Sequence, residues 1–451
     1  MGKYFGTDGI RGVANEKLKS AFVLRLGHAL GTFFQKGERR HRVIIGKDTR
    51  LSGYRIEFAL ASGFAEAGMN VTLLGPMPTA AVAMLTHTMR ADVGVMISAS
   101  HNPYEDNGIK IFDPNGYKLS DEARATIERM LDPSYEIELA ESHAVGRVSK
   151  DETNRARYVQ FVKMTVQGLS LEGLRIVVDC ANGAAYKSAP EALSELGAEV
   201  IQIGCQPDGF NINRGCGSTS MGALRDKVRE MRADVGIAFD GDADRVQFVD
   251  EDGKIADGDQ LLGVLATRWA QSGCLEHSTV VGTIMSNMGL EMYLKRQGIS
   301  MVRTPVGDHH ILERMRDDGY VLGGEPSGHV IIVAPQFPKF GTIADGLATA
   351  LQILSVLVAE KSKTSKILHC FEPVSQILRD VGAKDGEKIL ADSRVKEAKE
   401  AVERALEGIG RLVLRSSGTE PVIRIMVECT DKDLASKMVE SIADAIRAAK
   451  E

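Results

Sequence analysis

Ser100 follows the run Val93-Gly94-Val95-Met96-Ile97, which is apolar, β-branched in part and of strand length. Asn102-Pro103 then gives a turn signal. A strand that stops in a polar turn presents a hydroxyl at its carboxyl end, where open α/β sheets bind ligands. Ser100 is therefore a candidate nucleophile; the alternative reading is that Ser98 and Ser100 only cap a turn. Asp240, Asp242 and Asp244 form a second group. At i, i+2, i+4 in a strand or extended loop, their carboxylates are aimed the same way. Three such carboxylates repel one another unless a cation neutralises them, and oxygen-only ligands favour Mg²⁺ or Ca²⁺ over zinc. An EF-hand is disfavoured, because Arg245-Val246-Gln247-Phe248-Val249 reads as a strand before Glu251 is reached.

Arg415-Ser416-Ser417-Gly418-Thr419, with Arg424 beyond it, offers hydroxyls, backbone N–H groups and guanidinium groups that suit a phosphate. Glu325 and Ser327 can exchange hydrogen bonds with vicinal sugar hydroxyls. Arg11, in the glycine-punctuated start 5–12, and Lys110, Lys118 and Arg245 are basic residues close to the key loops. They either screen a doubly phosphorylated ligand or are surface charges. A nucleophilic hydroxyl, a metal site, a sugar-reading carboxylate and a second phosphate pocket combine into phosphoryl transfer. Such catalysis is largely positioning plus electrostatics.

Alternating elements must position these groups. A helix near 21–34, strands at 42–46, 71–74 and 93–97 and helices between them predict a parallel sheet. A hairpin-like piece at 108–112 and a helix at 120–131, with Ser120 as N-cap, close the first unit. The pattern recurs twice. Each unit delivers a polar loop after a late strand: Ser98–His101, Asp240–Arg245 and Gly324–His329. This repetition predicts three related α/β units with mixed sheets, followed by a small C-terminal α+β domain, around a shared cleft. The boundaries are placed at 1–150, 151–256, 257–366 and 367–451. A chain of 451 residues is too long for one core and accommodates such a division.

Composition narrows the partners. A net charge of −6 gives no general basic surface for nucleic acid, so an anionic ligand must meet a local Arg/Lys cluster. The 6 cysteines are scattered without a Cys-x-x-Cys pair, which fits neither a zinc site nor a disulfide framework. Met1–Gly6 lacks a signal-peptide core and no long apolar run occurs, so a cytoplasmic, membrane-free protein is expected. The oligomeric state is open, a homodimer included.

Five motifs, in order, carry a resemblance: Phe5-Gly6-Thr7-Asp8-Gly9-Ile10-Arg11-Gly12, Ser98-Ala99-Ser100-His101-Asn102-Pro103, Asp240–Arg245, Gly324-Glu325-x-Ser327-Gly328-His329 and Arg415–Pro421. Through them the chain resembles the α-D-phosphohexomutase superfamily over its full length, and most closely its bacterial phosphoglucosamine mutases. The resemblance implies a four-domain, heart-shaped protein in which Ser100 is carried as a phosphoserine. It implies one Mg²⁺ held by Asp240, Asp242, Asp244 and a phosphate oxygen on Ser100. The implied reaction interconverts glucosamine 6-phosphate and glucosamine 1-phosphate through a 1,6-bisphosphate, toward UDP-N-acetylglucosamine. Arg415, Ser416, Ser417, Gly418, Thr419 and Arg424 would grip the non-reacting phosphate. Arg11, Lys110, Arg245 and His329 become candidates for acid/base or charge-stabilising roles. Two loops depart from the family pattern: Pro326 replaces Gln in the sugar loop, and His309-His310 replaces Arg-Tyr. Both belong to the specificity region, which leaves glucose or mannose phosphate as the alternative substrate.

Overall fold

The computed structural model describes residues 3–6, 9–37, 39–151, 153–333, 343–383, 385–416 and 421–450. Its first sheet contains β1 (Ile10–Val13), β2 (Arg42–Lys47), β3 (Asn70–Pro76), β4 (Val93–Ile97), β5 (Asp106–Phe112) and β6 (Val148–Lys150). The spatial order is β1-β5-β4-β2-β3-β6. Strands β2, β3, β4 and β6 are parallel, whereas β5 runs antiparallel to both β4 and β1.

The second sheet contains β7 (Arg175–Asp179), β8 (Glu199–Ile203), β9 (Val235–Phe239), β10 (Val246–Asp250) and β11 (Ile255–Ala256), ordered β11-β10-β9-β7-β8. The third contains β12 (Thr279–Thr283), β13 (Ser300–Thr304), β14 (Leu322–Gly324) and β15 (Val330–Ile332), ordered β13-β12-β14-β15. One plan governs all three sheets. A parallel core ends in a buried strand, and the chain turns back as an antiparallel neighbour: β4 to β5, β9 to β10, β14 to β15. The three turns are the three polar loops singled out in the sequence. Central strands β4 and β9 are buried at every position, as strands covered on both faces must be.

The fourth unit is a three-stranded antiparallel sheet, β16 (Ser375–Gly382), β17 (Gly410–Ser416) and β18 (Val422–Cys429), ordered β16-β18-β17. Two helices, Ser393–Ala405 and Lys432–Ala448, belong to it, and its hydrophobic core is its own. By contrast, one continuous core runs from the first unit through the second and third. The helix Gly346–Glu360 is almost wholly apolar and lies in that shared core. It starts three residues later than its apolar pattern suggests, because Asp345 caps it by accepting from Ala348 N at 3.0 Å. Tyr158 Oη donates to the same carboxylate at 2.9 Å and ties the helix Asn154–Met164 to it.

Other differences have physical causes. The helix Asn154–Met164 and strand β16 were not expected, since neither shows a clean apolar period. Strand β14 keeps to Leu322–Gly324, where pairing with β15 selects the register. The start 5–12 is not all loop: Arg11 sits on edge strand β1, opposite Gly108 of β5. Ser120 does cap its helix, accepting from Ala123 N. Among the described residues no helix is long and apolar enough to cross a membrane.

Candidate active site

Ser100 sits at the first turn with a left-handed backbone, φ 52°, which a β-carbon adopts only under constraint. The constraint is visible. Ser98 Oγ accepts from Ser100 N at 2.9 Å and donates to Asp48 Oδ2 at 2.6 Å. Arg50 is fully buried and donates to Asp48, to the Ser100 and Asn102 carbonyls at 2.9 Å each, and to the Pro103 carbonyl. Asn213, from the second unit, donates to the same Ser100 and Asn102 carbonyls at 2.9 and 3.0 Å. The backbone is thus clamped from two units, while Ser100 Oγ stays outside the clamp and donates to Asp240 Oδ2 at 2.6 Å.

The three aspartates are brought together differently from the expectation. They lie on a turn, not on an extended strand. Ala243 N bonds back to Asp240 O, and Ala243 itself is left-handed at φ 58°. Carboxylate oxygens of Asp240, Asp242 and Asp244 all lie within 4.8 Å of one another, and all three residues are buried. Thr79 Oγ1 donates to Asp242 Oδ2 at 2.6 Å, and Lys110 Nζ bridges Asp242 and Asp244 at 2.7 and 2.9 Å. Burial, then the neighbouring Asp244 and Asp242, push Asp240 up to about 8. Burial also acts to raise Asp244, but Lys110, His329 and Arg245 outweigh it and hold that carboxyl well below its ordinary value.

This arrangement fits a hard divalent cation. Its donors are all oxygens, and Asp242 Oδ1 and Asp244 Oδ1 are buried without a hydrogen-bond partner among the described residues. Lys110, Arg245 and His329 offset part of the charge of the three carboxylates, and a further cation would relieve the repulsion that, after burial, lifts Asp240.

The third turn faces the second. Val246 N, at the start of β10, bonds to Gly328 O at 3.0 Å. His329 lies between Asp244, 3.7 Å from Nδ1, and Asp308, 3.5 Å from Nε2. Burial opposes its charge, yet the two carboxylates raise it to about 10. Asp308 also pairs with Lys118, a contact that joins the third unit to the first. Ser327 Oγ donates to Glu325 Oε2 at 3.3 Å, and Glu325 is among the acidic groups that raise Arg245. Pro326 is explained by the turn itself: Gly328 N bonds to Glu325 O at 3.0 Å, which puts proline at the position where its fixed φ is favoured. His309 stacks on His310 with centroids 3.9 Å apart. With Asp308, Lys118, Arg124 and Arg316 it lines a cavity of about 430 Å³ between the first and third units.

In the fourth unit Arg415 stands directly opposite Arg424 across β17 and β18. Burial, then the Arg424 charge, lower the Arg415 pKa. Two like charges face to face cost stability and favour a bound anion. Ser416 ends β17; Ser417, Gly418 and Thr419 lie outside the described residues.

Family models match all four units: phosphoglucomutase/phosphomannomutase alpha/beta/alpha domain I over 2–137, domain II over 156–253, domain III over 257–374 and the C-terminal domain over 380–445. The chain belongs to the phosphoglucomutase/phosphomannomutase family. Relatives called phosphoglucosamine mutase include one from Methylocella silvestris, 57% identical over 98% of both chains, and one from Methylobacterium nodulans, 56% identical over 100% of both. Among solved structures, a phosphoglucomutase/phosphomannomutase family protein from Burkholderia thailandensis superposes with a TM-score of 0.80 at 24% identity, covering 98% of this chain and 96% of that one. An Aspergillus fumigatus N-acetylphosphoglucosamine mutase, solved with GlcNAc-6P and magnesium, gives 0.69 at 19% identity, covering 100% and 96%.

Within this family fold the structure gathers Ser100, Asp240, Asp242, Asp244, Lys110, Arg245 and His329 around one point, with Glu325 and Ser327 on the adjoining turn. Arg11 and Arg245 both act on His101, the residue after Ser100, whose pKa falls to about 4 through burial and those two charges. Arg415, Ser416 and Arg424 form a separate group on the fourth unit. Sequence reasoning missed Asp48, Arg50, Thr79, His101, Asn213 and Asp308. Only His101 and Asp308 had a local signal, each lying inside or beside a loop already singled out.

Proposed function

We propose that the protein is a phosphoglucosamine mutase that interconverts glucosamine 6-phosphate and glucosamine 1-phosphate through a 1,6-bisphosphate, supplying UDP-N-acetylglucosamine synthesis in the cytoplasm. The observation that carries this reading is the Ser100 hydroxyl, donating to Asp240 inside a buried trio of carboxylates. On this reading the units 1–150, 151–256, 257–366 and 367–451 present phosphoserine, metal, sugar and phosphate loops in turn.

Ser100 is carried phosphorylated. The sugar's free hydroxyl attacks phosphorus, the bond to Ser100 Oγ breaks, and the bisphosphate turns over before its other phosphoryl returns to Ser100. One Mg²⁺, held by Asp240, Asp242, Asp244 and a phosphoserine oxygen, would neutralise charge on the phosphoryl oxygens. Arg11, Lys110, Arg245 and His329 surround that group with positive charge or handle protons. Glu325, Ser327 and His309 orient the sugar. Arg415, Ser416, Ser417, Gly418, Thr419 and Arg424 hold the distal phosphate. The bisphosphate serves as both intermediate and primer.

The test compares glucosamine, glucose and mannose 6-phosphates as substrates of the phosphorylated protein with Mg²⁺. A large kcat/KM advantage for the amino sugar supports the reading. Comparable rates for glucose or mannose would keep the mechanism and reassign the substrate.

A further inference from the structure

A cavity of about 220 Å³ lies at the seam between the first and second units, and ligand sites occur preferentially at such seams. Its wall is drawn from β2, β3, β6 and the helix Leu51–Glu66 of the first unit, and from Arg155, Tyr186 and Lys187 of the second. None of Ser100, the three aspartates, Lys110, Arg245 and His329 lines it. Lys47, Lys150, Arg155 and Lys187 do, against one carboxylate among the described residues of the wall, Glu57. Counting Glu191, which pairs with Arg155 at 2.7 Å from outside the wall, the charges still stand at four positive to two negative. In a chain of net charge −6 this is a local positive field of the kind an anion needs. Glu57 is only 3% exposed. Its Oε2 accepts from the buried Lys47, while its Oε1 is buried with no hydrogen-bond partner among the described residues. A ligand hydroxyl or N–H would satisfy that oxygen, which is costly to leave unpaired. Two rings of the same wall, Tyr54 and Phe58, are exposed, and the Lys47 ammonium stands 4.1 Å from the Tyr54 centroid.

The wall runs directly into the supports of the serine and aspartate loops. Lys47 precedes Asp48, which accepts from Ser98 and Arg50. Met77, also in the wall, donates its N–H to Lys47 O at 3.0 Å. Two residues on, Thr79 donates to Asp242 twice, from N to the carbonyl at 3.0 Å and from Oγ1 to the carboxylate at 2.6 Å. Tyr186 N bonds to Gly183 O at 3.2 Å, and Ala184 N to the carbonyl of Gly241, between the first two aspartates, at 2.8 Å. A ligand that shifts these walls therefore shifts both loops.

We propose that this cavity is a second site, for a nucleoside monophosphate, whose occupation slows turnover. An anion, a hydroxyl and a flat ring are the three complements of the wall, and a mononucleotide carries all of them. The phosphate meets Lys150, Arg155 and Lys187, a ribose hydroxyl donates to Glu57 Oε1, and the base lies over Tyr54 and Phe58. The cavity is smaller than the roughly 300–1,000 Å³ of drug-sized pockets, so a ligand larger than a mononucleotide does not fit and the base stands over the exposed rings. The occupant competes with Glu57 for the Lys47 ammonium and displaces the end of β2, where Asp48 holds the serine loop. Glu325, Arg415 and Arg424 are not part of this wall, so the effect falls on kcat and not on KM. The effect on turnover rests on the phosphomutase reading; binding does not.

The experiment titrates the full-length phosphorylated protein with adenosine and uridine 5′-monophosphates by calorimetry, without sugar and at saturating glucosamine 6-phosphate, and measures initial rates over the same concentrations. At least one nucleotide should bind in both conditions and lower kcat at unchanged KM. Ribose 5-phosphate, which keeps the phosphate and lacks the base, should bind about tenfold more weakly, the worth of one stacked ring. Lys187→Glu, at an exposed position, should weaken nucleotide binding by about tenfold or more, the loss of a charge-assisted contact. Lys399→Glu, an equal change of charge at an exposed position of the fourth unit, should bind as the unsubstituted protein does. No binding of either nucleotide would overturn the proposal. So would binding abolished by the sugar phosphate, equal binding of ribose 5-phosphate, indifference to Lys187→Glu, or binding with unaltered kcat. Should Lys187→Glu fail to fold, Lys150→Glu, also exposed, takes its place. No turnover before nucleotide is added would count against the phosphomutase reading alone, and the calorimetry would still decide binding.

Discussion

At the scale of single residues, the chemistry rests on groups that are costly to bury and are buried anyway. Arg50 is the clearest case. It has no solvent exposure, and its guanidinium holds one carboxylate and three carbonyls of the serine loop. Removing it strands Asp48 as a buried charge. Arg50→Ala should therefore cost about 3–5 kcal/mol of stability in urea unfolding and abolish turnover; an unchanged midpoint would contradict the clamp. Asp242→Asn removes charge from the carboxylate trio, so Mg²⁺ dependence and activity should weaken together in a metal titration, and an unaltered titration would count against that site. Arg415→Ala should raise KM by the worth of a charge-assisted contact, about 1.5–3 kcal/mol, read from initial rates. Ser100 and the aspartates were legible because their spacing and flanking strands are local. Arg50 and Asn213 were not, because the loop they hold lies 50 and more than 100 residues away in the chain.

At the scale of elements, the recurring device is the antiparallel return after a parallel core, and its turn is a polar loop each time. The late strands were readable as apolar runs, and so were the polar loops after them. The turn geometry was not: the i, i+2, i+4 spacing suggested a strand or extended loop, whereas a left-handed Ala243 folds the aspartates together. Helix caps carry a pH dependence of their own. Burial raises Asp345, the N-cap of helix Gly346–Glu360, to about 6 from an ordinary 3.8. A folded-state pKa above the unfolded value means stability is greatest below about pH 4 and falls as pH rises through 6. The loss is on the order of 3 kcal/mol. Asn at this position still accepts from Ala348 N and Tyr158 Oη but does not titrate. The stability difference between the protein and Asp345→Asn should therefore change between pH 4 and 6, and parallel urea midpoints across that range would contradict the assignment.

At the scale of the whole molecule, the first three units share a core and the fourth keeps its own. The fourth joins the third through polar contacts. Arg411 donates to the Ile284 and Ser286 carbonyls at 2.8 and 2.6 Å and pairs with buried Glu428, which in turn accepts from Met288 N at 3.2 Å. Arg411→Ala should speed hydrogen exchange of the 284–288 amides while leaving exchange in β7 and β9 unaltered; uniform exchange changes would argue against a local clasp. The threefold repetition was legible from order and spacing alone. The packing of helix Gly346–Glu360 into a core shared between units was not, since an apolar helix does not state which neighbour it covers. The central claim is that Ser100 Oγ carries the phosphoryl group. The most direct measurement mixes phosphorylated protein with Mg²⁺ and an equimolar amount of glucosamine 6-phosphate, then follows intact protein mass and sugar products together. The account predicts that the protein loses one phosphoryl group as an equal amount of glucosamine 1,6-bisphosphate appears, with no transfer in Ser100→Ala. Bisphosphate formed while the protein keeps its group, or free phosphate released in its place, would contradict it.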